Sequence, residues 1–273
     1  MIYSHLIEGI KRFGSSEKDI CAVLFNCHSD SIQKNVVLAP WWEPSLFDKD
    51  WLEITEITQG KVWNIKSYNV SFTYIKTGIG APLIGDASLA LGCTQCENVI
   101  FIGSVGALSL DMSIGDIVIP KESFCGDGFS RYLTKTSIKE NNCFGDIAYP
   151  NKNMFERVLK CTENICENNG VNFHIGKVFS IDSIFAQFAH IDEIINSNCD
   201  AIEMETAAFF KVMELNGINA GAILQVSDNT IVEKSLYSGR TEEEQNYRKH
   251  IRKTLFPQII EKTFESFNVN LTL

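Results

Sequence analysis

The sequence predicts an α/β fold, a single domain with a central mixed β-sheet flanked by helices. This prediction rests on two observations. Apolar runs typical of β-strands alternate along the chain with segments of helical periodicity. Residues 52–76 hold strand-like patterns without an intervening helix, which favours a mixed over a wholly parallel sheet. Because no Pro/Gly-rich linker divides the chain, we expect one domain over residues 1–273.

The elements can be assigned in order along the chain. Strands are predicted at 21–26, within 52–76, and at 98–104, 116–120, 174–182 and 220–228. Helices are predicted at 82–92, 152–168, 188–197 and 241–267. Pro82 suits the first turn of its helix. Pro257 is expected to interrupt the last helix, because proline lacks the N–H that the helix ladder needs.

Composition excludes several classes of partner. The chain has 273 residues, 45% of them hydrophobic, which is enough for a substantial core. A net charge of −10 and the absence of a long Lys/Arg block argue against nucleic acid as a partner. The first residues lack the pattern of a signal peptide, and no apolar run approaches the ~20 residues of a membrane span. We therefore expect a cytoplasmic protein with no membrane partner.

The nine cysteines are scattered through apolar and helical contexts, where a free thiol behaves as a small hydrophobic group. Cys93 and Cys96 form a CxxC, but no second pair with zinc-like spacing follows. The cysteines are interpreted as reduced thiols. We expect no metal site and no organic cofactor.

Two glycine-containing turns follow predicted strands. Thr77-Gly78-Ile79-Gly80 opens a helix, and its glycines allow backbone N–H groups to approach a ligand. Gly103-Ser104-Val105-Gly106 presents the Ser104 hydroxyl at the end of a buried strand. Either segment could equally be a plain turn. Neither matches the dinucleotide-binding GxGxxG or the GxSxG nucleophile elbow.

Ser227-Asp228-Asn229 follows the predicted strand that ends near residue 226. An Asp at a strand end, in a cleft with apolar walls, would have a raised pKa and could donate a proton to a leaving group. The alternative is that Asp228 caps the next turn.

The most informative segment is AIEMETAAFF at 201–210. Glu203 and Glu205 flank Met204 where a short apolar run gives way to an amphipathic helix. A carboxylate at such a corner lies where open α/β sheets bind ligands, and it can accept two hydrogen bonds from a vicinal diol. The alternative is an acidic residue that complements the helix dipole.

Taken together and in order, these segments resemble the nucleoside phosphorylase superfamily, which includes purine nucleoside and uridine phosphorylases and adenosylhomocysteine/methylthioadenosine nucleosidases. The matching segments are TGIGAP (77–82), FIGSVGAL (101–108), SIGDIVIP (113–120), GDGFSRY (126–132), GKVFSIDSIF (176–185), AIEMETAAFF (201–210) and VSDNT (226–230). The resemblance implies a nucleoside phosphorylase-like fold. It also implies cleavage of the N-glycosidic bond of a nucleoside, for which a protonatable Asp favours a purine.

The resemblance also implies roles for individual residues. Glu205 would bind the ribose diol, with Met204 packed under the sugar. Asp228 would be the general acid at purine N7, and Arg240 would help to place its proton. Ser104 would contact the sugar or the attacking group.

Further residues complete the expected site. Glu203 and Gly80 belong to the expected substrate-binding set, and Ile184 and Phe185 would form the wall of the base pocket. His5 would reach the ribose 5′-OH in a neighbouring subunit. The resemblance therefore implies a homo-oligomer, a dimer or a trimer of dimers, for which PWWEPSLF (40–47) offers an apolar interface.

Phosphorolytic relatives are expected to hold phosphate with two arginines. One expected position is occupied by Phe101, and the loop assigned to the other, at 25–33, has neither Gly nor Arg. Guanidinium groups pair bidentately with phosphate, so their loss weakens such a site. Hydrolytic relatives instead activate water with a carboxylate of the first loop, where Asp30 is the candidate.

Lys34, Arg131 and His28 are the candidate replacements for the expected arginines. The partners are therefore a nucleoside and, if the reaction is phosphorolytic, inorganic phosphate. A non-catalytic protein that binds a nucleoside or base is the alternative from another class, although a binder needs no proton donor. A dinucleotide-dependent oxidoreductase is disfavoured because the GxGxxG turn is missing.

Overall fold

The computed structural model describes residues 3–134 and 137–268, which form a single α/β domain with ten strands and seven α-helices. The strands are β1 (Asn35–Ala39), β2 (Glu53–Thr58), β3 (Val62–Lys66), β4 (Ser71–Lys76), β5 (Asn98–Ala107), β6 (Ile117–Gly126), β7 (Ile147–Ala148), β8 (Phe173–Ile181), β9 (Ala201–Glu203) and β10 (Asn219–Asn229). The helices are α1 (Tyr3–Arg12), α2 (Glu17–Phe25), α3 (Ala81–Leu91), α4 (Lys152–Asn169), α5 (Ile191–Asn196), α6 (Thr206–Asn216) and α7 (Glu242–Asn268).

The sheet is mixed, as predicted. Strand β1 pairs in parallel with β4 and β5, while β2, β3 and β4 form an antiparallel meander from the stretch at 52–76. Strand β10 is hydrogen-bonded both to β5, in parallel, and to β6, antiparallel. Because β6 pairs with β8, β8 with β9 and β9 with β5, these five strands close into a ring.

Helices cover both faces of the sheet. One core lies under α2, α3 and α6 and includes Phe101 and Phe209, whose ring centroids are 5.6 Å apart. The other lies under α4 and α7 and includes Met154, Trp42 and Phe256. The two apolar layers explain why the central strands read as almost continuous hydrophobic runs.

The strand predicted at 21–26 is wrong, because this segment is the second half of α2. Short apolar runs of this kind do not distinguish strand from helix by periodicity. The helix is fixed at its start, where the Ser16 backbone N–H donates to the Asp19 carboxylate at 2.6 Å, as in a capping box. Cys21 and Phe25, four residues apart, then turn the same face into the core.

The first strand is instead β1, at Asn35–Ala39, which the sequence analysis did not identify. The loop that follows the first strand is therefore 40–52 rather than 25–33. Its opening stretch PWWEPSLF (40–47) also contains neither Gly nor Arg. Most of this stretch is packed inside the chain, with Trp42 4% and Phe47 7% exposed, so only Trp41 offers a large exposed apolar side chain for an interface.

The predicted interruption of the last helix at Pro257 is also wrong, since α7 continues through it. Proline at this position leaves the Lys253 carbonyl, four residues earlier, without its helical partner. The Asp48 backbone N–H donates to that carbonyl at 3.0 Å. The loop after β1 thus satisfies the acceptor that the proline leaves free, and Pro257 itself is buried.

The other predicted elements are present with shifted ends. The helix expected at 188–197 is shorter, since α5 covers only Ile191–Asn196 behind a 3₁₀ turn. Strand β6 runs six residues beyond the predicted 116–120, to Gly126. Over the described residues, no helix is both long and apolar enough to cross a membrane.

Candidate active site

A cavity of about 400 Å³ opens where the last residues of β5, β8, β9 and β10 meet. This size suits a small organic ligand. It is lined by Trp41, Ile79, Ser104, Gly106, Ile181, Ile184, Gln187, Ile202, Glu203, Met204, Glu205, Ser227, Asp228, Leu236, Arg240 and Arg248. Seven lining residues have apolar side chains, and the polar groups are three carboxyls, two guanidiniums, two hydroxyls and one amide.

Asp228 enters this cavity through an irregularity in β10. The parallel register between β5 and β10 shifts between Val226 and Asp228, so that Asp228 lies opposite Gly106. Such a bulge changes the direction of the side chain that follows it. The carboxyl is 4% exposed and accepts a hydrogen bond from the Ser227 hydroxyl.

Gly106 leaves the room that this carboxyl occupies. A Cβ atom at position 106 would lie 3.1 Å from Asp228 Oδ2 and 3.3 Å from the Ile202 side chain. Those contacts are tighter than ordinary van der Waals distances, so a side chain at 106 would make the Asp228 carboxyl or Ile202 shift by a few tenths of an ångström. Gly106, the second glycine of the predicted GSVG segment, therefore leaves space for the Asp228 carboxyl.

Burial raises the pKa of Asp228 above the ordinary Asp value, and the Ser227 hydroxyl and the charges of Arg240 and Arg248 only partly oppose this rise. Arg240 holds its place through backbone carbonyls. Its guanidinium donates to Ser227 O at 3.3 Å and to Leu236 O. Arg240 thus lies beside the acid without a direct ion pair among the described residues.

Glu203 lines the cavity, but its hydrogen-bonding capacity is used inside the protein. Its Oε2 accepts the backbone N–H groups of Glu205 and Thr206, at 2.7 and 2.8 Å. Its Oε1 accepts the hydroxyls of Thr206 and Ser180, at 2.8 and 2.5 Å. Glu203 was expected to bind substrate; with four protein donors, it instead holds the first turn of α6 in place.

Glu205 is the carboxylate with free capacity. Its Oε1 accepts the Gly80 N–H at 2.7 Å, and its Oε2 accepts the Met204 N–H at 3.2 Å. A carboxylate offers about four acceptor sites, so two remain for a ligand. Gly80, with φ +101°, was expected to approach substrate, but its N–H positions Glu205 and it does not line the cavity.

The two glutamates influence each other's protonation. Burial raises the pKa of both, and the negative charge of Glu203 raises the pKa of Glu205 further. The donors that surround Glu203 oppose the rise of its own pKa. The pair thus disfavours a second negative charge.

The structure brings most of the predicted substrate-binding residues together. Ser104, Met204 and Ile184 line the cavity with Glu205. Phe185 does not, because it begins the 3₁₀ turn with its ring 85% exposed. His5 lies exposed on α1. Its predicted contact with a neighbouring subunit stays a prediction.

The residues expected to hold phosphate or to activate water do not line this cavity. Phe101 is fully buried in the core. Lys34, proposed as a replacement cation, pairs with Glu97 at 2.7 Å and is 64% exposed. His28 and Asp30 form an exposed pair before β1. The only carboxylate of the 40–47 stretch, Glu43, pairs with Lys76.

Arg131, the other proposed cation, is exposed in a 3₁₀ turn and does not line the cavity. Three polar or aromatic lining residues were not predicted from the sequence, namely Gln187, Arg248 and Trp41. Gln187 is only 6% exposed, and its side-chain amide has no protein partner among the described residues. A position shortly after the SIDS segment (180–183) was the only sequence signal for Gln187.

Within the described residues, no group of three or more His, Cys, Asp or Glu side chains is arranged to hold a metal ion.

The fold and the cavity define an α/β protein with a small-ligand site at its strand ends. A model of the phosphorylase superfamily matches residues 46–255, and the chain belongs to this superfamily. It is 27% identical over 172 residues to a guanosine phosphorylase of Halorubrum lacusprofundi, covering 63% of this chain. It is 26% identical over 191 residues to a uridine phosphorylase of Thermococcus kodakarensis, covering 65% of this chain. The matches span 66% and 65% of those two relatives, just under two thirds of their lengths.

Solved structures share the fold at lower identity. An AMP nucleosidase from Bacteroides thetaiotaomicron has a TM-score of 0.65 at 16% identity, with coverage of 93% of this chain and 98% of that one. A uridine phosphorylase from Vibrio fischeri has a TM-score of 0.64 at 21% identity, with coverage of 87% and 92%. The superfamily resemblance inferred from the motifs is confirmed. Proteins named as phosphorylases and as a nucleosidase share the fold.

Proposed function

We propose that this protein is an enzyme that cleaves the N-glycosidic bond of a nucleoside with a purine base. The observation that carries this proposal is one cavity with a buried acid, Asp228, and a carboxylate with free acceptor sites, Glu205. A diol anchor and a proton donor are the two groups that this reaction needs. The names of the relatives support the same chemistry.

In the proposed reaction the C1′–N bond breaks and its electron pair goes to the base. Asp228 donates its proton to N7, so that the base leaves as a neutral molecule. The raised pKa of Asp228 favours this role, because the carboxyl keeps its proton closer to neutral pH. Arg240 then stands beside the carboxylate that the transfer leaves behind.

The sugar would be held by Glu205 and Met204. Glu205 accepts hydrogen bonds from the ribose 2′- and 3′-hydroxyls, while Glu203 and the Gly80 N–H fix its direction. Ser104 lies on the β5 side of the same cavity, where it would contact the sugar or the attacking group. This preorganisation positions the ring for loss of the base.

Phosphorolysis and hydrolysis are the two forms of this proposal. Hydrolysis is favoured by the burial of Phe101 and by the lack of Arg in the loop after β1. Phosphorolysis is favoured by the names of the relatives found by sequence. It is also favoured by Arg248, a cation of the cavity wall that the sequence did not predict. A non-catalytic nucleoside binder is disfavoured, since binding alone does not need a buried proton donor.

Two further expectations accompany the proposal, a cytoplasmic location and a homo-oligomeric state. Light scattering at working concentration tests the second. A dimer or larger assembly is expected from the resemblance, with His5 near the subunit boundary. A fully active monomer would contradict it.

A nucleoside panel tests the proposed function. The protein is incubated with purine and pyrimidine nucleosides, with and without phosphate, and the products are separated by chromatography. A free base together with ribose 1-phosphate identifies phosphorolysis, and a free base with ribose identifies hydrolysis. Nucleosides that stay intact under both conditions would contradict the proposal and leave a binding protein.

A further inference from the structure

Three arginines cluster along the first half of α7 and the segment before it. Arg240 and Arg248 line the cavity, and Arg252 follows Arg248 one helical turn later. The Arg252 guanidinium lies over the Trp42 ring, 4.7 Å from its centroid. Arg252 is buried and Arg240 and Arg248 are half-buried, although the protein carries a net charge of −10.

The cluster has almost no negative charge to balance it. Among the described residues, neither Arg248 nor Arg252 makes an ion pair, and the Nε atoms of both are buried without a hydrogen-bond partner. Burial and the neighbouring arginines lower the pKa of both guanidiniums, that of Arg252 to about 10. The carboxyl that acts on Arg248 is Asp228, whose own pKa is raised.

A desolvated cation without a partner is costly, and a bound anion removes that cost. Guanidinium groups pair with phosphate oxygens through parallel N–H donors. Arg248 is the member of the cluster best placed for this pairing. It lines the cavity and, unlike Arg240, donates to no carbonyl of the described residues.

We propose that Arg248 binds a phosphate group at the wall of the cavity, with Arg240 and Arg252 raising the local positive potential. This inference rests on the proposed function for the identity of the ligand. Arg248 lies on the C-terminal helix, whereas the expected arginine positions lie on β5 and in the loop after β1. It would supply the charge that those two positions lack.

The phosphate could come from two sources. Free inorganic phosphate would attack C1′ as the base leaves, so that a C1′–O bond replaces the C1′–N bond and the product is a sugar 1-phosphate. Alternatively, the phosphate would be the 5′-phosphate of a nucleotide substrate, and water would be the attacking group. Both sources present the same oxyanion to Arg248.

Calorimetric titration of the full-length protein distinguishes the two. Inorganic phosphate, adenosine 5′-monophosphate and adenosine are titrated separately into wild type, Arg248→Gln and Arg248→Lys. Lys249→Gln is the matched control, since it removes one positive charge from the exposed neighbouring position on the same helix. Circular dichroism verifies that each variant is folded.

Arg248→Gln should weaken binding of one phosphate-containing ligand about tenfold or more, because a bidentate charged contact is lost. Arg248→Lys should keep only part of the wild-type affinity for that ligand, and Lys249→Gln should bind it with nearly wild-type affinity. If Arg248→Gln weakens the binding of inorganic phosphate, the bound group is free phosphate acting as a reactant. If it weakens only the binding of adenosine 5′-monophosphate, the bound group is the 5′-phosphate of the substrate. Equal affinities in wild type and Arg248→Gln, or no binding of either phosphate ligand by wild type, would overturn the inference. If the nucleoside panel shows no cleavage but Arg248 still governs phosphate binding, only the proposed reaction has failed.

Discussion

The backbone N–H of Gly80 donates to Oε1 of Glu205 at 2.7 Å, and this bond joins residues 125 positions apart in sequence. The turn before α3 thereby fixes the carboxylate that precedes α6. The Gly80 turn and Glu205 both belong to the predicted ligand site, and the turn holds the carboxylate in place before any ligand binds. Such support of a functional side chain by a second element reduces the reorganisation needed on binding.

Asp228→Asn should lower turnover of a purine nucleoside by about 10²–10⁴-fold, because the amide cannot donate the proton that the leaving base needs. Steady-state rates and substrate affinity are measured together, and affinity should survive. Asp127→Asn is the matched control, since Asp127 is also a buried Asp with a raised pKa but lies outside the cavity. Wild-type turnover in Asp228→Asn would remove this residue from the mechanism.

The pH dependence of cleavage should report the protonated form of Asp228. The pKa of this carboxyl is raised in the folded protein, so the acid form is present at low pH and is lost as the pH rises through that value. Turnover should therefore fall as the pH rises through the pKa of Asp228, which lies above the ordinary Asp value. The residual activity of Asp228→Asn should lack this fall.

The same shift predicts a stability effect. A carboxyl whose pKa is raised on folding contributes stability at low pH, and this contribution is lost as the pH rises through the folded pKa. Chemical unfolding is measured at several pH values. As the pH rises, the free energy of unfolding should decrease less for Asp228→Asn than for wild type. Parallel curves would indicate that Asp228 titrates alike in the folded and unfolded chain.

Glu205→Gln should weaken both binding and turnover of ribosides, because a charge-assisted acceptor for the diol is lost. With a 2′,3′-dideoxynucleoside the mutant and wild type should differ little. Kinetics on both substrates make the comparison, and Glu214→Gln on the exposed face of α6 is the control. If turnover falls equally with both substrates, Glu205 does not bind the diol and only stabilises the start of α6.

Phe101→Arg should not create a phosphate site and should instead destabilise the fold by about 4 kcal/mol or more, because it buries an unpaired charge. Phe101 is fully buried against Phe209, away from the cavity. Phe101→Leu is the control, and its free energy of unfolding should decrease less. Denaturant unfolding and phosphate titration test the two halves of this prediction. A stable Phe101→Arg protein with micromolar phosphate affinity would contradict both.

Residues at strand ends were predictable from sequence. Ser104 and Asp228 lie in the last residues of β5 and β10 rather than in turns after them, and Glu205 follows β9 closely. Polar groups at these strand ends meet at one edge of the sheet. The helix at 17–25 was missed because the apolar run CAVLF fits a strand as well as a helix, and the capping box before it was not weighed.

The contribution of α7 to the cavity could not be predicted. Arg248 lies in a polar helical stretch without a local motif, and its place depends on how α7 crosses β10. There the Gln225 side chain donates to the Arg248 carbonyl at 2.9 Å. Contacts of this kind join residues through tertiary packing, which periodicity and spacing do not record.

The closed ring of five strands has a mechanical consequence for ligand exchange. Strands β5, β8, β9 and β10, whose ends form the floor of the cavity, are bonded to neighbours on both sides and cannot separate without breaking the ring. The apolar side chains of the wall that lie outside the strands come from connecting segments, and they are Trp41, Ile79, Ile184, Met204 and Leu236. We therefore expect the rate of ligand exchange to depend on these segments, while Ser104 and Asp228 stay fixed on the closed ring.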